Sequence, residues 1–334
     1  METLNLKYRP KSFSEVIGQN TIVSILSKQI ATKTFKNTYL FCGPSGCGKT
    51  TLARIMAKEV NDGQGEPIEI DAATNNGIDT IRSLISDSQQ ASLDAEYKVY
   101  IIDEAQALTS AAWGSALKLI EEPPLHCIFI FCTTDPQKIP ETILTRVQRF
   151  DFKRIKDEDI YNRIEFILNE EVVCNYEPEA IKLIAINSKG YMREAISLLD
   201  KCLSYSNDLT LTNVEQVLGA LNQVNLTSYL DALINNNTEE ALRLIKQFKA
   251  FNSSSLKLLD DILGFFIKCA EVQKTGGRFF TYLRKEIVDY VLTLKQDLMF
   301  FVERALKYRV ICTNDNADNL LDVLTMELLI KENN

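Results

Sequence analysis

Gly43-Pro44-Ser45-Gly46-Cys47-Gly48-Lys49-Thr50 fits the pattern G-x-x-x-x-G-K-[ST] at every constrained position. Its flanks matter as much as the string. The apolar run TYLFC (38–42) precedes it, and TTLARIMAKEV (50–60), rich in good helix formers, follows. A strand that enters a helix through a glycine turn exposes backbone N–H groups to phosphate oxygens. The helix start adds unpaired donors and the positive end of its dipole. Residues Gly43, Pro44, Ser45, Gly46, Cys47, Gly48, Lys49, Thr50 and Thr51 therefore read as the cradle of a nucleoside triphosphate. Lys49 is expected against the β- and γ-phosphates and the Thr50 hydroxyl on Mg2+. A chance glycine-rich turn is the competing reading, and a string this restrictive in this context leaves it little room.

Outward from the loop, short apolar runs alternate with amphipathic segments. Strands are expected at 38–42, 67–73 (PIEIDAA), 98–105 (KVYIIDEA), 127–134 (CIFIFCTT) and 148–152 (QRFDF). Helices are expected at 50–60, 78–90 and 110–122, the last stopped by Pro123 and Pro124. This alternation implies an α/β domain with a mainly parallel sheet. The run Val99-Tyr100-Ile101-Ile102 ends in Asp103-Glu104. A continuous apolar run is the mark of a buried parallel strand, and ligands bind at strand C-terminal ends. Asp103 is then a candidate for the Mg2+ shell and Glu104 for orienting or deprotonating the attacking water. A merely capping acidic pair would be the plainer reading without the phosphate loop upstream. PIEIDAA lies between the loop and the acidic pair in sequence.

After Phe152 the strand signals fade. Helical spacing appears at 157–171, 177–188, 192–206 and 211–221, with Thr212 a candidate cap for the last. From about 223 the chain again reads helical, through 228–235, 238–248, 255–272, 284–306 and 317–332. The polar breaks NQVN (222–225), NNNT (235–238) and TNDNADN (313–319) read as loops.

The bulk properties fit a soluble globular protein: 334 residues, 46% hydrophobic and 25% charged. No apolar run approaches the length that spans a bilayer, and the first residues carry no signal-like segment, so a cytoplasmic protein is expected. The net charge of −8 argues against a chain coated for DNA binding, though not against a local basic surface. The eight cysteines include no CxxC pair and read as reduced, buried thiols. His126, the sole histidine, follows two prolines and reads as structural.

Several longer strings point one way. Lys7-Tyr8-Arg9-Pro10 with Phe13 and Val16-Ile17-Gly18-Gln19 resembles the N-terminal segment of AAA+ clamp loaders that packs over adenine. Glu69-Ile70-Asp71-Ala72-Ala73, Asp103-Glu104-Ala105-Gln106-Ala107-Leu108, the run from Ala116 to Pro124, and the run from Thr133 to Pro140 resemble the gamma/tau subunits of bacterial DNA polymerase III. The resemblance covers residues 4 to about 203. It implies a P-loop AAA+ domain (1–152), a helical lid (153–222) and an all-α collar that assembles subunits (223–334). It implies an ATPase with ATP and Mg2+, and as partners other loader subunits in a pentamer-like hetero-oligomer, a sliding clamp and primer-template DNA. The order of strands also resembles the P-loop branch in which an extra strand separates the two Walker strands.

Site roles follow from the same resemblance. Tyr8, Arg9, Pro10, Val16 and Ile17 would border the adenine. Thr134 matches the first sensor, near the γ-phosphate. Leu144-Thr145-Arg146-Val147 matches a Ser-Arg-Cys motif, making Arg146 a finger into a neighbouring subunit's site; here Thr and Val replace Ser and Cys. Gly190-Tyr191-Met192-Arg193 matches the second sensor, making Arg193 a γ-phosphate contact from the lid. For DNA, Asn76, Gly77 and Arg82 at the start of the 78–90 helix could meet phosphates, a plain helix cap being the equal alternative. Lys118 could couple DNA to the ATP site, against the reading of a solvated lysine. Two departures stand out. The four-cysteine zinc module of bacterial relatives is replaced by the link Asn61 to Pro67, and the chain ends near the collar. Both suggest a minimal loader subunit of the kind phages encode. The alternatives are another AAA+ ATPase acting on DNA, such as a branch-migration helicase, and a non-hydrolysing loader scaffold. The intact Gly-Lys-Thr and Asp-Glu weigh against the scaffold.

Overall fold

The computed structural model describes residues 3–92, 94–171, 175–251, 254–313 and 316–329. The order of elements through the first half is α1 (Leu4–Lys7), α2 (Asn20–Ala31), β1 (Thr38–Cys42), α3 (Lys49–Glu59), β2 (Ile68–Asp71), α4 (Ile78–Ser88), β3 (Lys98–Asp103), α5 (Ser110–Glu121), β4 (Cys127–Thr133), α6 (Glu141–Leu144) and β5 (Gln148–Asp151). Then come α7 (Asp157–Glu170), α8 (Pro178–Asn187), α9 (Met192–Tyr205), α10 (Leu211–Leu218), α11 (Gln223–Ile234), α12 (Thr238–Phe251), α13 (Ser255–Thr275), α14 (Lys285–Thr293), α15 (Met299–Ile311) and α16 (Ala317–Leu329). Two compact units share the chain. The first is Met1–Arg163 with Ser188–Ser197, and the second is Ile164–Asn187 with Leu198–Asn334. Among the described residues no helix is long and apolar enough to cross a membrane.

The first unit holds a five-stranded, wholly parallel sheet in the order β2-β3-β4-β1-β5. Side chains alternate across a pleated strand, so each central strand feeds two cores. Leu40, Cys42, Tyr100, Ile102, Phe129 and Phe131 face one side, where Ile81 and Leu84 of α4 and Trp113, Ala116 and Ile120 of α5 cover them. Tyr39, Phe41, Val99, Ile101, Ile128, Ile130 and Cys132 face the other, under Leu26 of α2 and Leu52, Ala53 and Met56 of α3. The two-sided cover explains why these strands read as unbroken apolar runs.

The phosphate-loop strand β1 and the acidic-pair strand β3 are not neighbours. The strand that separates them in space is β4, whereas β2, which separates them in sequence, goes to the sheet edge. There β2 is mostly exposed and shorter than PIEIDAA. Pro67 has no N–H to give a ladder, and the Asp71 carboxylate accepts the Ala73 N–H at 2.9 Å, turning the chain away. Similarly β3 stops at Asp103 because Glu104 is left-handed, with φ +51°.

The second unit is helical, around Tyr229, Phe248, Phe265, Phe266 and Phe301. Inside this core the Tyr229 and Thr325 hydroxyls share a hydrogen bond at 2.8 Å. Three expectations need correction here. The break NQVN (222–225) is not a loop: α11 begins at Gln223, capped by Asn222, whose side chain accepts the Val224 N–H at 2.8 Å. The stretch 284–306 is not one helix: α14 ends at Thr293 and α15 begins at Met299. The side chain of Gln273, on α13, donates to the carbonyls of Leu294 and Gln296 and accepts the Leu298 N–H at 3.1 Å. Asp297 then accepts the Met299 N–H at 3.0 Å and pairs with Lys274. Tertiary partners thus satisfy the backbone groups a continuous helix would have paired. The cap of α10 is Thr210, whose hydroxyl accepts the Asn213 N–H. Thr212 lies within the helix and accepts from Arg284 at 3.3 Å.

Candidate nucleotide site

The glycine turn sits between the C-terminal end of β1 and the start of α3. Gly43, Gly46 and Gly48 all have positive φ (+150°, +72° and +101°), the region that only glycine enters cheaply. At Gly43 space is also decisive: a Cβ there would stand 2.7 Å from the Phe152 carbonyl oxygen. Lys49 is buried, with 7% of its surface exposed, and its ammonium donates to the Gly43 and Pro44 carbonyls at 2.8 and 2.9 Å. The cation therefore lies folded over the loop it belongs to. Cys47 is buried and its thiol donates to the Pro44 carbonyl.

The first residue pair brought together from distant sequence is Thr50 and Asp103. The Thr50 hydroxyl donates to Asp103 Oδ2 at 2.8 Å. A hydroxyl and a carboxylate are hard oxygen ligands, the kind Mg2+ takes alongside water and substrate phosphates. The donor set at this point fits that ion. Beside it, Glu104 stands at the end of β3 and Thr134 just past β4, and they approach at 3.4 Å. Adjacency of β3 and β4 in the sheet places both side chains on one rim.

Gln106, which the sequence reading passed over, joins them. Its amide nitrogen donates to Glu104 Oε2 and to Thr134 Oγ1, the latter at 3.0 Å, while its oxygen accepts from Thr133 Oγ1 at 2.8 Å and the Thr134 N–H at 3.3 Å. Gln19 is a second residue of this kind. It is buried, donates to the Lys153 carbonyl at 2.7 Å and accepts the Lys153 N–H at 3.2 Å. Its amide also reaches the Cys47 carbonyl at 3.4 Å, so it ties the segment carrying Val16 and Ile17 to the loop. Val16 packs on the core beneath the loop, and the Tyr8 carbonyl accepts from Arg163 at 2.8 Å. Arg9, Pro10 and Ile17 are partly exposed along the same segment.

Arg193, in the first turn of α9, comes to the loop: its Cβ lies 3.5 Å from where a Cβ on Gly46 would stand, and Tyr191 Cβ lies 3.4 Å from it. The approach depends on Gly190 (φ +83°), whose carbonyl accepts the Ile155 N–H at 3.0 Å and where a Cβ would stand 2.8 Å from Arg154 Cβ. Arg146 does not come to this loop. Its carbonyl accepts from Thr38, which begins β1, whereas the loop follows Cys42, which ends it. The two ends of such a strand are about 13 Å apart. The Arg146 guanidinium instead pairs with Glu121 at 2.7 Å and donates to the Thr142 carbonyl and Thr145 hydroxyl.

The DNA candidates lie on the opposite side of the sheet from α3. Gly77 is the extended residue before α4, with no side-chain cap, and the Asn76 carbonyl accepts the Thr109 N–H at the start of α5. Arg82 is exposed and pairs with Asp79 at 3.3 Å, and Lys118 is exposed on α5. The seven described cysteines are buried free thiols; Cys174 lies outside the described residues. Burial pushes Cys42, Cys127 and Cys202 up to about 11, so these thiols stay protonated at neutral pH.

Comparison with known proteins places this geometry. The family described as DNA polymerase III, delta subunit, matches residues 68–156. The DNA polymerase III clamp loader subunit ATPase lid domain matches 159–208, and the Holliday junction DNA helicase RuvB P-loop domain matches 8–111. DNA polymerase III subunit tau of Bacillus subtilis is 38% identical over 304 residues, covering 84% of this chain and 54% of that one. The tau subunit of Escherichia coli is 34% identical, covering 81% and 46%. DNA polymerase III subunit gamma of Buchnera aphidicola is 30% identical over 286 residues, covering 79% of this chain and 78% of that one. The chain thus spans about half the length of the two tau subunits. Among solved structures, the Thermotoga maritima RuvB branch migration motor superposes with a TM-score of 0.54 at 20% identity, over 68% of this chain and 79% of that one. At that identity the likeness speaks for the fold alone.

Proposed function

The chain belongs to the DNA polymerase III gamma/tau subunit family, and from that footing we propose that it binds and hydrolyses ATP as a motor subunit of a sliding-clamp loader in DNA replication. The observation that carries the reading is the 2.8 Å contact between Thr50 and Asp103, which joins the glycine cradle to the carboxylate end of β3. The loop Gly43 to Thr51 cradles the triphosphate, its backbone N–H groups donating at every residue but Pro44, which has none, and Lys49 turns from its own loop carbonyls to the β- and γ-phosphates. Tyr8, Arg9, Pro10, Val16 and Ile17 border the adenine. Thr50 and Asp103 hold Mg2+, which when bound neutralises charge on the phosphate oxygens. Glu104 orients the attacking water and takes its proton, Thr134 fixes the water's approach, and Arg193 contacts the γ-phosphate from the same chain.

Arg146 acts on a neighbour. A guanidinium stays charged and can bond two phosphate oxygens, which suits a finger that enters another subunit's site. Its position at the far end of β1 from the chain's own loop supports this role. The helical region from 223 serves as collar, with 1–152 as motor domain and 153–222 as lid. ATP favours the assembly that opens the clamp, and primer-template DNA, tracked along its phosphates near Asn76, Gly77, Arg82 and Lys118, favours hydrolysis.

The test is the ATP hydrolysis rate of the chain with its loader partners, with and without clamp and primed DNA. Stimulation by primed DNA and clamp together is expected. Hydrolysis that ignores both, or none at all, would refute the loader reading.

A further inference from the structure

The geometry points to Gln106 as a positioning residue that couples the water-orienting carboxylate of Glu104 to the sensor side chain of Thr134. This rests on the roles given to those two residues above. A side-chain amide has two N–H donors and an oxygen with two lone pairs, and Gln106 uses all four. Its orientation is not arbitrary. The backbone N–H of Thr134 can only donate, so the amide oxygen must face it. The –NH2 end is thereby turned to Glu104 Oε2 and Thr134 Oγ1.

Glu104 needs such a partner. It follows a strand end in a left-handed conformation that a non-glycine residue adopts at some cost. Its backbone is held by the bond from its N–H to Asp103 Oδ1 and by the Ala107 N–H on its carbonyl. Its side chain, long and flexible, is aimed at the rim of β4 by Gln106 and Thr134 alone among the described contacts. Because the other end of Gln106 is anchored on Thr133 and Thr134, any shift of β4's end moves the carboxylate with it. An asparagine carries the same amide head on a stem one methylene shorter, so the head would not reach the end of β4 from residue 106.

The experiment measures steady-state ATP hydrolysis of the assembled loader with clamp and primed DNA, and binding of a fluorescent ATP analogue, for four variants. Gln106→Ala should lower kcat about tenfold or more while KM and analogue affinity stay within about twofold. In a Glu104→Gln background the same change should cost nothing further, because the carboxylate it aims is gone. The near-isosteric Gln106→Glu, which keeps an acceptor for the Thr134 N–H but has no N–H to give Glu104, should lose kcat to about the same extent as Gln106→Ala. A residue that only braces the loop would keep kcat in Gln106→Glu, and its loss in Gln106→Ala would add to that of Glu104→Gln. Wild-type kcat in Gln106→Ala, beside a dead Glu104→Gln, would overturn the coupling and leave the Glu104 assignment standing. Wild-type kcat in Glu104→Gln would overturn both.

Discussion

Replacing Glu215 by glutamine should remove a large part of the protein's loss of stability between pH 5 and pH 8. Glu215 lies within α10, three residues before its end at Leu218, and is only 3% exposed. It accepts from Asn222 at 2.9 Å and from the Gln223 N–H at 3.1 Å, but burial outweighs these bonds and raises its carboxyl from 4.5 to about 7. Arg284 lowers it and Glu177 raises it by smaller amounts. A carboxyl whose folded value lies above its unfolded value contributes stability that is complete below pH 4.5. That contribution is lost as pH rises through about 7. At about 1.4 kcal/mol per pH unit, the gap corresponds to roughly 3 kcal/mol. Asp261, raised to about 6 by burial, acts in the same direction, so the difference between the two proteins isolates Glu215. Urea unfolding followed by helical circular dichroism at pH 5.5 and 8 measures it. Wild type should lose about 2 kcal/mol more than Glu215→Gln across that range, the part of the full contribution that falls between pH 5.5 and 8. Equal losses would show that Glu215 stays ionised in the folded chain and that its two hydrogen bonds outweigh burial.

Arg146→Ala should leave nucleotide affinity within about twofold and lower DNA- and clamp-stimulated hydrolysis by about a hundredfold or more; full stimulated hydrolysis would remove Arg146 from the chemistry. Gly43→Ala should lower the melting temperature by several degrees and weaken nucleotide binding, since the new methyl meets the Phe152 carbonyl at 2.7 Å and backbone strain of this kind costs about 1–3 kcal/mol. An unchanged melting curve would mean the turn relaxes freely.

Local chemistry made much of this molecule legible. TYLFC is a strand over the expected Thr38–Cys42 because β4 and β5 pair with its backbone on both sides, helices cover both its faces, and no turn residue interrupts it. The helix before Pro123 ends at Glu121, where the missing N–H and the ring stop it. What the sequence did not disclose depends on residues far away. Gln106 acquires its place only when β3 and β4 become neighbours, and Gln19 only when residue 153 returns beside it. The break between α14 and α15 has no proline or glycine; it exists because Gln273 and Lys274 on another helix offer the backbone better partners than a further turn would. Thr210 and Thr212 are both plausible caps by composition, and the start of the apolar face at Leu211 selects the former. Arg146 could be matched to a motif, but its tie to Glu121 could not, since nothing in the residues 116–124 distinguishes one exposed glutamate from the next.

The central claim is that a triphosphate lies in the glycine turn with Lys49 against it. Titrating the full chain with a fluorescent ATP analogue in Mg2+ tests this directly, comparing wild type with Lys49→Ala whose circular dichroism shows it folded. Saturable binding by wild type and a loss of about a hundredfold or more in the variant is the predicted result. Equal affinity in the two proteins, or no binding by either, would contradict it.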